Sequence, residues 1–167
     1  YAAAKAREVL GALPDRVDIR VSDNIIKNVK SVIVPNTDGM RGIEAAAAAG
    51  IIGGRADRQL EVIADITAED KAAMKKFVKE VPCKVSALDT GIVFDIIVSL
   101  FRDGESSRVR ISQYHTNIIY VEKNGSMLFT TEAHKNLEQG IIEENSEVGL
   151  ADKSLLNMKD IIEFADT

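Results

Sequence analysis

Tryptophan is absent from this chain, and tyrosine and phenylalanine supply only 5% of its 167 residues, so a core has to be assembled from aliphatic side chains. Alanine, isoleucine and valine must carry it. The one cysteine, Cys83, excludes an internal disulfide framework, and it has no Cys or His at metal-ligand spacing, which points to an inert thiol with no role. No apolar run approaches the roughly 20 residues of a membrane-spanning helix, and no secretory leader pattern is visible. A reducing cytoplasm is the simplest expectation, with no membrane partner. Basic clustering is missing too: Lys and Arg are interspersed among acids and the net charge is −5, so no nucleic-acid footprint exists.

What is present fits a single domain over residues 1–167, because a chain of this size buries roughly two-thirds of the surface that its unfolded form exposes. The chain opens at Tyr1, without Met, already inside a helical pattern in which Ala3, Ala6, Val9, Leu10 and Leu13 share a face until Pro14. Such a start predicts an internal piece of a longer protein. Val17, Ile19 and Val21 alternate with Arg16, Asp18 and Arg20, which predicts a half-buried strand. A polar cluster, a Pro-Asn-Thr-Asp-Gly turn and an Ala-rich helix from Ile43 to Ala49, closed by Gly50, come next. Five consecutive alanines bury little apolar area, so they imply close approach of a neighbouring element. Gly53 and Gly54 precede a further helix over residues 57–66. Thr67 with Asp70 then predicts a capping box, opening an amphipathic helix with Ala73, Met74, Phe77 and Val78 on its apolar face.

From Gly91 the period becomes two. Ile92, Phe94, Ile96, Val98 and Leu100 mark one side of a long strand, which Asp103-Gly104 turns into a partner bearing Val109 and Ile111. Residues 117–122 predict another strand, returned by Asn124-Gly125 through Met127 to Phe129. Residues 143–145 read as a solvated loop, and Asp152 caps a last helix bearing Leu155, Met158, Ile161 and Ile162. N-terminal helices, an antiparallel sheet of hairpins and a C-terminal helix make an α+β fold, not a series of alternating parallel units.

His115, in Tyr-His-Thr-Asn between two strands, is the most interesting titratable side chain, because imidazole is well suited to proton transfer. A hydrogen-bonded structural histidine would look the same. His134 sits in an ordinary polar context and reads as structural. Ser22, Asn24, Lys27 and Asn28 gather neutral donors and one cation, equipment for holding an amino-acid zwitterion or steadying a carbanion, although Asn and Ser are favoured in turns and caps anyway. Asn36, Thr37, Gly39 and Gly42 form a glycine-bearing turn ahead of a helix, which is a potential anion cradle.

The segments YAAAKAREVLGALPDRV, VSDNIIKN, PNTDGMRGIEAAAAAG and HTNIIYVEKNG together resemble the L-cysteine desulfidase family, which is related to the alpha part of iron-sulfur L-serine dehydratases. The likeness runs in order along most of the chain and is thinnest after about residue 132. Members of that family carry a Gly-Cys-Thr-Glu-Pro segment ahead of the Tyr-Ala-Ala-Ala-Lys stretch and further cysteines toward the C-terminus, and neither occurs here.

The resemblance implies a lyase that splits L-cysteine, or L-serine, into pyruvate and ammonia with loss of sulfide or water. It implies a four-iron four-sulfur cluster whose ligands lie outside this chain, since one cysteine cannot supply them. In that picture His115 is the base and Lys27 acts with it. Ser22, Asn24, Asn28, Asn36, Thr37, Gly39, Gly42, Thr116 and Asn117 contact the substrate. The partner is then a small amino acid, and exposed strand edges leave room for a homo-oligomer. The rival expectation is a non-catalytic module on the same scaffold that binds an amino acid or a partner subunit.

Overall fold

Alternation decides the sheet. In the computed structural model, which describes residues 1–140, strand β1 (Arg16–Val21) buries Val17, Ile19 and Val21 and exposes Arg16 and Arg20. Its antiparallel partner β3 (Asp95–Arg102) sets Leu100, Val98 and Ile96 opposite those three residues. In β4 (Glu105–Ser112), Ile111 and Val109 continue the same apolar rows. The β3–β4 turn has Asp103 at φ 50° and Gly104 at φ 85°, and the turn between β5 (Ile118–Lys123) and β6 (Ser126–Thr130) has Asn124 at φ 51° and Gly125 at φ 76°. Two successive left-handed residues match the twist of a two-residue hairpin, which is why Asp-Gly and Asn-Gly stand there.

The strand order is β2-β1-β3-β4-β5-β6. β2 (Cys83–Ala87) runs parallel to β1, from Val17 opposite Cys83 to Val21 opposite Ala87, so the α+β fold has a mixed sheet instead of the purely antiparallel one expected. Only a long crossover can join parallel neighbours, and the chain between β1 and β2 supplies it as helices.

Helices cover one face of the sheet. Helix α1 (Ala2–Leu10) lies across β3, β4 and β5 and stops at Gly11, whose φ of 81° lets its N–H reach back to the Arg7 carbonyl. The helix therefore ends before Pro14, and Leu13 is exposed instead of joining the buried face. The polar cluster falls on α2 (Asp23–Val29), with Ser22 at its N-cap, where a turn or helix cap was the plainer expectation. Helix α3 (Gly42–Ile52) buries Ala45, Ala47, Ala48, Ala49 and Gly50 and crosses α1 at close range. A Cβ on Gly50 would stand 3.1 Å from the Ala3 Cβ and 3.2 Å from the Ala4 nitrogen, so the alanine run marks a backbone-to-backbone approach. Gly50→Val overfills that crossing and is expected to destabilise the fold by about 1–3 kcal/mol, read as a lower urea midpoint.

Helix α4 (Ala68–Glu80) starts at the expected capping box: Thr67 Oγ1 accepts from the Asp70 N–H at 3.1 Å, and Asp70 Oδ2 accepts from the Thr67 N–H at 2.9 Å. Its buried face is only Met74 and Phe77, with Ala73 and Val78 exposed. Thr67→Ala should cost about 1 kcal/mol in the same titration. Residues 56–61 form a 3₁₀ turn broken at Gln59, which has φ 51°, in place of the expected longer helix. A short helix α5 (Glu132–Glu138) follows β6. The expected loop at 143–145 and the helix capped by Asp152 lie outside the described residues. Among the described residues no helix is long and apolar enough to cross a membrane.

Candidate functional site

A cleft of about 300 Å³ opens where the C-terminal end of β1 meets α1, α2 and α3. Its walls include Ile25 and Val29 of α2, Ile43 and Ala47 of α3, and Ile96 of β3, with Phe94 and His115 at the sheet end. Ser22 fixes the α2 wall. It is 3% exposed, its hydroxyl donates to the Val93 carbonyl at 2.7 Å, and its N–H donates to the Asp95 carbonyl at 2.9 Å. The hydroxyl is thus committed to anchoring α2 on the segment that leads into β3.

The other polar residues of that helix face away. Asn24, Lys27 and Asn28 are exposed, whereas Ile25, Ile26 and Val29 are half-buried. Spacings of three and four put the three polar groups on one helix face, and Asn28 Nδ2 donates to Asn24 Oδ1 at 3.1 Å along it. They do not line the cleft. The expected cluster becomes the solvated side of an amphipathic helix.

The glycine-bearing turn is likewise satisfied internally. Thr37 is 1% exposed and donates to the Val34 carbonyl at 2.7 Å, while Asn36 Nδ2 donates to the Ile63 carbonyl at 3.1 Å. Gly39 and Gly42 supply φ values of 85° and 89°, and the Gly42 N–H donates to the Val32 carbonyl at 3.2 Å. A Cβ on Gly42 would lie 3.4 Å from the Lys30 carbonyl oxygen and 3.5 Å from Glu44 Oε2. Two oxygens therefore lie close to the start of α3, an environment that does not favour an anion there.

His115 alone among the expected polar residues lines the cleft. It is exposed, in the loop between β4 and β5, and its ring rests on Phe94 with centroids 4.5 Å apart. Thr116 and Asn117, next in the chain, line a second groove of about 470 Å³ between α1 and the β5–β6 edge, together with Lys5, Val9, Leu128 and Phe129. Asn117 Nδ2 also donates to the Ser112 carbonyl at 2.9 Å, closing the loop that holds His115.

The opposite face of the sheet carries a polar group that alternation alone did not reveal. Asp95, 0% exposed, accepts from Arg110 Nε at 3.0 Å, from Arg110 Nη2 at 2.8 Å and from Thr90 Oγ1 at 2.8 Å. His134 of α5, read from sequence as structural, has Nδ1 at 3.5 Å from Arg110 Nη1, and its ring lies 4.2 Å from that of Tyr120. Burial, and then the Arg110 charge, hold the His134 imidazole below its ordinary pKa. The unfolded chain therefore binds more protons than the folded one as pH falls through the ordinary imidazole value, and stability drops in that window. Urea titrations from neutral into mildly acidic solution should show this slope, and His134→Gln should flatten it.

Cys83 sits half-buried on the edge strand β2, where burial, Glu44 and Asp18 push its thiol up to about 11. A cluster ligand has to be a thiolate, which this environment opposes. Among the described residues no three His, Cys, Asp or Glu side chains converge to hold a metal ion. The described residues do not fit an iron-sulfur cluster. Alkylation of Cys83 at mildly alkaline pH should run far slower than that of free cysteine.

The chain is similar along its whole length to proteins named UPF0597. It is 50% identical over 167 residues to one from Desulfitobacterium hafniense and 40% identical over 167 residues to one from Treponema denticola. A third, from Lachnoclostridium phytofermentans, is 39% identical over 165 residues, or 99% of this chain. The alignments cover 37% of each of these relatives, so the chain spans little more than a third of their length. No family model matches the chain, and no solved structure does.

Proposed function

We propose that the complete protein is a lyase that eliminates sulfide from L-cysteine, or water from L-serine, and yields pyruvate and ammonia. The observation that carries this reading is one imidazole, His115, standing on Phe94 at the mouth of a largely aliphatic cleft. His115 takes the α proton. The electron pair left behind forms the Cα–Cβ double bond as the β substituent departs with its bonding pair, and the resulting enamine tautomerises and is hydrolysed by water. The resemblance to L-cysteine desulfidases supports the substrate class, and sulfide and hydroxide remain equivalent because both substrates share the carboxylate, the ammonium and the α proton. Lys27, Asn24 and Asn28 face outward from α2 and are not assigned a part in this proposal.

The aliphatic lining favours a second reading, a non-catalytic module whose cleft takes up an amino-acid or partner side chain. One experiment separates them. The complete protein, prepared without oxygen, should release pyruvate from L-cysteine or L-serine; saturable binding of either with no pyruvate would select the module.

A further inference from the structure

Three under-satisfied polar groups lie on the face of the sheet turned away from α1 and α3. Arg110 is 4% exposed and spends Nε and Nη2 on Asp95. Among the described residues its third nitrogen, Nη1, has only long contacts, 3.5 Å to His134 Nδ1 and 3.6 Å to Glu138 Oε1. Charge-assisted bonds usually close to about 2.7–2.9 Å, so one edge of this planar donor fork is poorly filled. Ser112 Oγ and Thr130 Oγ1 are, among the described residues, the buried side-chain atoms without a hydrogen-bond partner. Both belong to this face: Ser112 stands opposite Asp95, and Thr130 stands opposite Tyr120, itself opposite Arg110. Ser112 is 2% exposed, so bulk water does not explain its idle hydroxyl.

Glu138 shows the approach. Its side chain is 67% exposed, and its carboxylate comes over Arg110 from the solvent side. We propose that Arg110, Ser112 and His134 form a binding seat for the carboxylate of a small organic acid, with Glu138 holding the place loosely until that acid displaces it. The exchange swaps one carboxylate for another and leaves the charge around the buried Asp95–Arg110 pair unchanged. A phosphate would add charge beside Asp95, which disfavours it. Thr130 lies two strands from Arg110, about 10 Å away across the sheet, beyond the reach of a small acid seated there. This seat is on the other face from the His115 cleft and does not rest on the elimination reading.

Lactate is the probe and chloride the control, titrated at matched ionic strength into the isotope-labelled chain. The readouts are the Arg110 Nε–H and His134 ring resonances, which are tractable because the chain has only two histidines. Lactate should shift both saturably and chloride should not. Glu138→Gln removes the competing carboxylate from an exposed position and should tighten lactate binding by roughly two- to fivefold, the range set by a weak solvent-facing ion pair. Ser112→Ala should weaken binding, and it avoids the folding loss expected from replacing Arg110. Equal shifts with chloride, or an unchanged affinity in Glu138→Gln, would overturn the proposal.

Discussion

Asp95→Ala is expected to destabilise the chain by about 3–5 kcal/mol, because it leaves the buried Arg110 guanidinium with the distant, solvent-facing Glu138 carboxylate in place of its close buried partner. Asp95 is 0% exposed and Arg110 4%, and two of the Arg110 nitrogens bond to that one carboxylate at 3.0 and 2.8 Å. Surface pairs such as Lys5 with Glu8 are a different case, exchanging one well-hydrated arrangement for another at roughly 0–1 kcal/mol. Replacing both partners, as Asp95→Leu with Arg110→Met, should recover most of the loss, since the penalty comes from the orphaned charge and not from a missing attraction. Urea midpoints of the two variants check this. A shift below about 1 kcal/mol for Asp95→Ala would mean that Arg110 finds water once freed. The variant also bears on the cleft, because the Asp95 carbonyl takes the Ser22 N–H that anchors α2, and Phe94 directly precedes it.

His115→Ala in the complete protein is expected to lower pyruvate formation by about 10²–10⁴-fold, the usual contribution of a positioned general base. That corresponds to roughly 3–5 kcal/mol of lost transition-state stabilisation. The loss should fall on kcat with KM little changed, since an imidazole that takes the α proton need not hold the carboxylate or the ammonium. Because the ring is exposed and rests on Phe94, the fold should survive, with an unchanged circular dichroism spectrum. Phe94→Ala removes the platform beneath the ring and should act in the same direction more weakly.

Local signals in the sequence carried much of the fold. The strands β3 to β6 follow from alternation and from Asp103-Gly104 and Asn124-Gly125, which need no distant partner to be recognised. The capping box at Thr67 and the close-packed alanines were equally local. Strand β2 was not legible because Cys-Lys-Val-Ser-Ala has a weak pattern and pairs with a strand far away in the chain. Helix α2 was hidden for another reason: Ser, Asp and Asn favour turns in isolation, and only burial of Ile25 and Val29 against the cleft makes the segment helical.

The candidate site inherits these differences. His115 lines the cleft, but without the helix there was no way to see that Asn24, Lys27 and Asn28 share its outer face. Asp95 and Arg110 sit in alternating strands on the side that reads as solvent-facing, and their pairing emerges only with the β3–β4 register. His134 gains its neighbours Arg110 and Tyr120 the same way, through α5 folding over that face.

The most direct test of the cleft is its response to L-alanine, which has the carboxylate, ammonium and α proton of the proposed substrates but no leaving group. Histidine-labelled complete protein would be titrated with it, the His115 ring resonance being identified by its loss in His115→Ala. A saturable shift of that resonance, matching the concentration at which L-alanine inhibits pyruvate formation, is the predicted result. An unmoved His115 resonance under inhibiting L-alanine would contradict the account.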